Sequence, residues 1–142
     1  MDKKLGLLEK LELEFEFDLV DDFMTHFGIF CDGLEPLIVS LLNKDKYKEN
    51  VAELFRMFHS MKSASGFLKI SQFVNICSIV EDVLDEAREL NGPASDELVD
   101  WLLVICDEFF KYKRDFDNNN YYLSALNTKI IQVPMRITKD DE

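Results

Sequence analysis

Basic residues are scarce in this chain. Sixteen lysines and arginines stand against 28 aspartates and glutamates, a formal net charge of −12. A nucleic-acid partner needs a basic face, and this composition leaves few places to build one. An acidic surface instead keeps a small protein soluble and favours partners with basic patches. Long apolar runs are missing as well, since none approaches the roughly 20 residues of a membrane span. The amino-terminal Met1-Asp2-Lys3-Lys4-Leu5-Gly6-Leu7-Leu8-Glu9 turns acidic after a few residues, so no secretory leader is expected. Cysteine is sparse and odd in number. Cys31, Cys77 and Cys106 lie far apart among apolar neighbours, which predicts buried, reduced thiols and a cytoplasmic setting. Histidine is rarer still. His26 and His59 are widely separated, and with scattered cysteines they offer no metal-ligand spacing. There is no glycine-rich phosphate loop, hence no ATP site of the chain's own. Ser60, Ser63 and Ser65 beside His59 lack the strand-turn-helix elbow of a hydrolase.

What is present is the pattern of one globular domain. At 142 residues, 47% hydrophobic and 31% charged, the chain is long enough for an ordinary core. Five segments have helical periodicity. The first, over 18–42, places Phe23, Phe27, Phe30, Leu34, Leu37, Ile38 and Leu41 three and four apart, with a kink or break expected at Gly33 and Pro36. The second covers 48–68, after a polar connection at Asn43-Lys44-Asp45-Lys46. The third starts after Ser71, whose hydroxyl can cap it, and runs to about Leu90, where Asn91-Gly92-Pro93 ends it. The fourth covers 95–116, with Leu98, Leu102, Ile105, Phe109 and Tyr112 inward, and a shorter fifth covers 121–129. Long amphipathic helices joined by short connections predict an all-α, up-down antiparallel four-helix bundle with an additional carboxy-terminal helix. Trp101 and the twelve phenylalanines are read as core.

The termini break this pattern. Leu11-Glu12-Leu13-Glu14-Phe15-Glu16-Phe17 alternates with a strand period, and Lys129-Ile130-Ile131-Gln132-Val133-Pro134-Met135-Arg136-Ile137-Thr138 is β-branched and basic. A short β-ribbon between them would set Glu12, Glu14 and Glu16 near Lys129, Arg136 or Lys139. The alternative is that the first piece joins a helix and the second is a tail. The division expected is an extension at 1–17, a helical bundle at 18–129 and a tail or strand at 130–142.

The most informative stretch is Phe55-Arg56-Met57-Phe58-His59-Ser60-Met61-Lys62-Ser63-Ala64-Ser65-Gly66-Phe67-Leu68. At about 100° per residue, Leu54, Phe58, Met61, Ser65 and Leu68 form one seam facing the core. Phe55, His59, Lys62, Ser63 and Gly66 share a flank off that seam. A histidine there reaches solvent, and its imidazole can carry a phosphoryl group on nitrogen. A lysine one turn away offsets the charge. Gly66 weakens the helix, by roughly 1 kcal/mol against alanine, which points to close approach of another backbone.

The pattern His59-x-x-Lys62-Ser63-x-x-Gly66-x-Leu68 resembles the signature of histidine phosphotransfer (HPt) domains. It is especially similar to the amino-terminal domain of bacterial chemotaxis histidine kinases, and the likeness extends through Phe55-Arg56 and through Val80-Glu81-Asp82-Val83-Leu84-Asp85-Glu86-Ala87-Arg88. The resemblance implies a four-helix bundle with an added helix. It implies His59 as phosphoacceptor, Lys62 as its charge-stabilising neighbour, and Glu81 as the carboxylate that orients the imidazole. Phe55, Ser63, Gly66 and Lys69 would form the partner face. Lys69 stands where many relatives carry a second glycine; it either extends a basic rim with Lys62 or obstructs some partners.

The function expected is phosphorelay: a monomer, neither a stand-alone kinase nor a cofactor enzyme, passing phosphate between His59 and a receiver-domain aspartate. The implied partners are a response-regulator receiver domain and a histidine kinase catalytic domain, with magnesium in the partner and no nucleic acid or membrane. The competing reading is a helical adaptor that binds a kinase or receiver without taking phosphate. Met1 and the polar Asp140-Asp141-Glu142 fit either a whole small protein or the first domain of a larger kinase.

Overall fold

Five α-helices follow one another in the computed structural model: α1 (Leu7–Glu14), α2 (Phe17–Ser40), α3 (Lys44–Phe67), α4 (Ser71–Ala87) and α5 (Asp96–Asp117), then a short 3-10 turn at Thr128–Ile131. The structure describes residues 4–139, so Met1 and the polar Asp140-Asp141-Glu142 end lie outside the described residues. Helices α2 to α5 form the bundle. None of the described helices is long and apolar enough to cross a membrane.

Each helix follows its apolar spacing. In α2 the buried positions Val20, Phe23, Phe27, Phe30, Leu34 and Ile38 recur at three and four. The break expected at Gly33 and Pro36 does not occur: α2 runs through both. Pro36 and Asp32 are both exposed, so water can serve the carbonyl that proline leaves without its intrahelical donor. Helix α3 begins inside the predicted polar connection, because the Asn43 side chain caps it by accepting from the Asp45 N–H at 3.0 Å. Ser71 does not cap α4; it is that helix's first residue, and Ile70 holds the cap position. Between α3 and α4 the chain reverses at once. Ile70 N–H bonds Ser65 C=O at 2.9 Å and Lys69 N–H bonds Gly66 C=O at 3.1 Å, with Lys69 left-handed at φ 60. At the far end the Tyr47 hydroxyl of α3 donates to the Ala87 carbonyl of α4 at 2.6 Å, so the two helices run antiparallel. Ser95 caps α5 by accepting from Leu98 N–H at 3.0 Å.

The centre of the bundle is aromatic. Phe73 of α4 packs against Phe109 at 5.2 Å and Tyr112 at 5.3 Å between ring centroids, and Phe27 and Phe30 of α2 join the same cluster. Trp101 is buried with them. Phe17 and Phe67 are the corrections, each 65% exposed: the first opens α2 and the second closes α3, where the helix surface has turned outward. The three cysteines are buried and free. Burial pushes the Cys31 and Cys77 thiols up to about 12 and Cys106 up to about 11.

Both termini depart from the ribbon. The alternating stretch lies mostly in α1, where Leu8, Leu11 and Phe15 face inward at helical spacing while Leu13 stays exposed. The additional helix is therefore amino-terminal. Gly6 has no side chain to cap it. Asn119, just beyond α5, does so instead, its Oδ1 accepting from Leu8 N–H at 3.0 Å and Glu9 N–H at 3.2 Å. The predicted helix over 121–129 does not form, because its amides bond α5 carboxylates rather than carbonyls four residues back. Ser124 N–H reaches Asp115 at 2.6 Å and Asn127 N–H reaches Glu108 at 2.9 Å. The remaining chain is a tail strapped along α5. Trp101 Nε1–H donates to Ile130 C=O at 3.0 Å, and Ser95 N–H to Ile137 C=O at 2.9 Å. Among the described residues the only β-type pairing is an isolated bridge between Ala94 and Thr138. The ribbon's charge pairs are absent too: Glu14 meets Lys69, and Lys139 lies 3.9 Å from Asp96.

Candidate functional site

Helix α3 buries Leu54, Phe58, Met61 and Ser65 in the core. His59 leaves that seam toward solvent, its side chain 61% exposed. Opposite it, α4 presents Glu81, whose side chain is only 11% exposed. Glu81 Oε1 lies 3.0 Å from His59 Nδ1, and its Oε2 accepts from the Lys62 ammonium at 2.9 Å. One nearly buried carboxylate thus bridges both functional groups of α3.

The chemistry of this triad follows from what each group can donate. An ionised carboxylate only accepts, so the neutral imidazole bonds it through Nδ1–H. Nε2 then carries the lone pair, on a side chain that is 61% exposed. The hydrogen bond to Glu81 is the main reason the Lys62 ammonium is held above the usual lysine range.

Around this centre the predicted partner residues divide. The Phe55 ring lies one turn before His59, parallel to the imidazole within 5° at a centroid spacing of 6.2 Å. Ser63 and Gly66 are exposed. A Cβ added at Gly66 would meet nothing nearer than Val74 Cγ2 at 3.8 Å, so interior packing does not demand glycine there. Lys69 lies past the helix end, where Glu14 of α1 takes its ammonium at 2.7 Å; its charge is offset rather than added to a rim. His26 is exposed on α2 and lines a separate groove with Ile29, Arg56 and Met57. Among the described residues no group of three or more His, Cys, Asp or Glu side chains could hold a metal ion.

Arg88, at the end of the α4 stretch that carries the family likeness, has contacts that only the structure shows. Its guanidinium sits 4.1 Å from the Phe55 ring centroid and pairs with Asp85 at 2.5 Å. The available signal was spacing: Asp85 and Arg88 follow Glu81 by four and seven residues, one and two turns along the same face.

Comparison with known proteins places the chain in a family. The Hpt domain family model matches residues 18–118. Over 100 residues, 70% of its length, the chain is 33% identical to the chemotaxis protein CheA of Borreliella burgdorferi. That stretch spans 12% of the relative, so the chain corresponds to a small part of a much longer protein. No solved structure matches. His59, Lys62, Gly66 and Glu81 all fall inside the matched residues, whereas α1 precedes them.

Proposed function

Because the chain belongs to the Hpt domain family, whose members carry out histidine phosphotransfer in two-component signalling, we propose that His59 accepts a phosphoryl group and exchanges it with a receiver-domain aspartate. The observation that carries this is the Glu81 bridge, which holds Nδ1–H and leaves the lone pair on Nε2 of a side chain that is 61% exposed. In the reaction the Nε2 lone pair attacks phosphorus, the bond from phosphorus to the aspartyl oxygen breaks, and the aspartate leaves as carboxylate. The ring keeps its Nδ1 proton and so gains positive charge as the N–P bond forms. The Glu81 carboxylate offsets that charge through the same hydrogen bond, and Lys62 faces the anionic phosphoryl oxygens. Phosphoryl transfer depends mainly on positioning and charge stabilisation, so little more is required of this chain.

In this reading magnesium and nucleotide belong to the partners, a receiver domain and a kinase catalytic domain. The protein acts in the cytoplasm and needs no second copy. Gly66 gives the receiver backbone its closest approach, with Phe55 and Ser63 on the same face and Lys69 at its edge.

The test is transfer of radiolabelled phosphate from a chemotaxis-type kinase catalytic domain with ATP, or from a phosphorylated receiver. Acid-labile, base-stable label on the wild type and none on His59→Gln is the expected result. Label that persists on His59→Gln would refute the assignment. Binding without label, unchanged in that variant, would turn the reading to an adaptor.

A further inference from the structure

Glu81 alone does not fix the His59 ring. One hydrogen bond to Nδ1 leaves the imidazole free to pivot about that contact, and a pivoting ring sweeps Nε2 through a range of directions. The second constraint is Phe55, whose ring lies parallel to the imidazole within 5°. Phe55 is itself only half-buried, so the core does not hold its rotamer unaided. What lies over its ring is the Arg88 guanidinium, 4.1 Å from the centroid. Arg88 is well placed to hold it. Its backbone closes α4, with N–H bonded to Leu84 C=O at 2.9 Å and its carbonyl accepting from the Lys48 ammonium at 3.1 Å. Its side chain is tethered to Asp85 at 2.5 Å.

We infer that Arg88 is a positioning residue for His59: tied to Asp85, its guanidinium holds the Phe55 ring flat beside the imidazole and so sets the plane from which Nε2 meets phosphorus. The contact uses the planarity of the guanidinium as well as its charge, which a lysine would not reproduce. The geometric part stands on the observed contacts; its consequence for transfer rests on the reading above.

The test compares Arg88→Ala, Arg88→Lys, Phe55→Ala and the double Arg88→Ala/Phe55→Ala variant. Two properties are read: the 15N and 1H signals of the His59 ring, assigned by their loss in His59→Gln, and the rate of phosphate transfer. Thermal melts confirm that each variant is folded; Arg88 is exposed at a helix end, and the half-buried Phe55 variants are compared at a temperature where the melts show them native. In the wild type the ring should show one Nδ1–H tautomer. Arg88→Ala and Phe55→Ala should each shift and broaden the ring signals as the imidazole pivots, with the Nδ1–H tautomer kept by Glu81, and slow transfer by roughly tenfold, the order of loss that a misplaced reacting group produces. The double variant should be no slower than either single one, because both remove the same constraint. Arg88→Lys should recover little. Unchanged ring signals in Arg88→Ala, losses that multiply in the double variant, or full recovery in Arg88→Lys would each overturn the assignment. A wild type that never takes label would end the phosphotransfer reading, yet its ring signals would still judge Arg88.

Discussion

Glu81 and Lys62 meet at 2.9 Å between α4 and α3, through the carboxylate that also holds His59. Replacing Glu81 with glutamine keeps the shape and removes the charge. Transfer should slow by roughly ten- to hundredfold, the range seen when carboxylates behind other functional imidazoles are removed. The His59 ring should populate both tautomers, since an amide can donate as well as accept. Heteronuclear spectra of the ring together with transfer rates check both outcomes. The same pair fixes a pH window. A lysine pKa raised in the folded state gives stabilisation that is present at neutral pH and lost as pH rises through the folded value, so the pairing should outlast the ordinary lysine range in an alkaline titration.

Gly66 separates stability from function. A methyl group there meets only ordinary contact at 3.8 Å, so Gly66→Ala should stabilise the fold, by up to about 1 kcal/mol. Gly66→Leu should melt no lower than the wild type yet exchange phosphate with a receiver at least tenfold more slowly, about 1.4 kcal/mol of lost docking or transition-state energy. A drop in melting temperature matching the loss of transfer would show that glycine serves the fold instead.

Glu108 ties the tail to the bundle. Burial alone would push its carboxyl up, but the Lys111 ammonium, the Tyr112 hydroxyl and the Asn127 N–H together hold it below the usual carboxylate range. A lowered folded pKa means stabilisation that is present above the unfolded value and lost as pH falls through the folded one. Glu108→Gln should therefore cost roughly 1–3 kcal/mol at pH 7, the scale of hydrogen bonds to a charged group. The gap to wild type should close under acid. Urea denaturation at pH 7 and near pH 3 measures it.

Gly92 faces the Tyr47 ring with φ at +79. A Cβ there would collide with the ring in a conformation side chains rarely adopt. Gly92→Ala should destabilise by roughly 2–4 kcal/mol, combining left-handed strain with overpacking. Chemical denaturation reads this directly, and the His59 ring signals should stay in place in the folded fraction.

The bundle was legible because helical spacing is a local property. Phe23, Phe27 and Phe30, or Leu98, Leu102 and Ile105, declare one face within a few residues. His59, Lys62 and Gly66 were legible for the same reason, and Glu81 through its likeness to a known pattern. Helix ends and the Pro36 break were misjudged locally, but the larger errors involve partners distant in sequence. Leu11 to Phe17 fits two periods at once, and what selects the helix is Asn119, more than a hundred residues later. The 121–129 stretch has helical composition, but Glu108 and Asp115 take its amides. Arg88 has no meaning for His59 until Phe55 is placed between them.

The Asn119 cap also orders events during synthesis. The contacts that start α1 join residues separated by 110 and 111 positions. When the ribosome has released α1, its cap does not yet exist, and an isolated helix of eight residues is too short to persist in water. It must wait until α5 and the loop behind it emerge. Helix α1 is thus made before α2 to α5 yet completed after them, and its closure reports that the chain has been translated through Asn120.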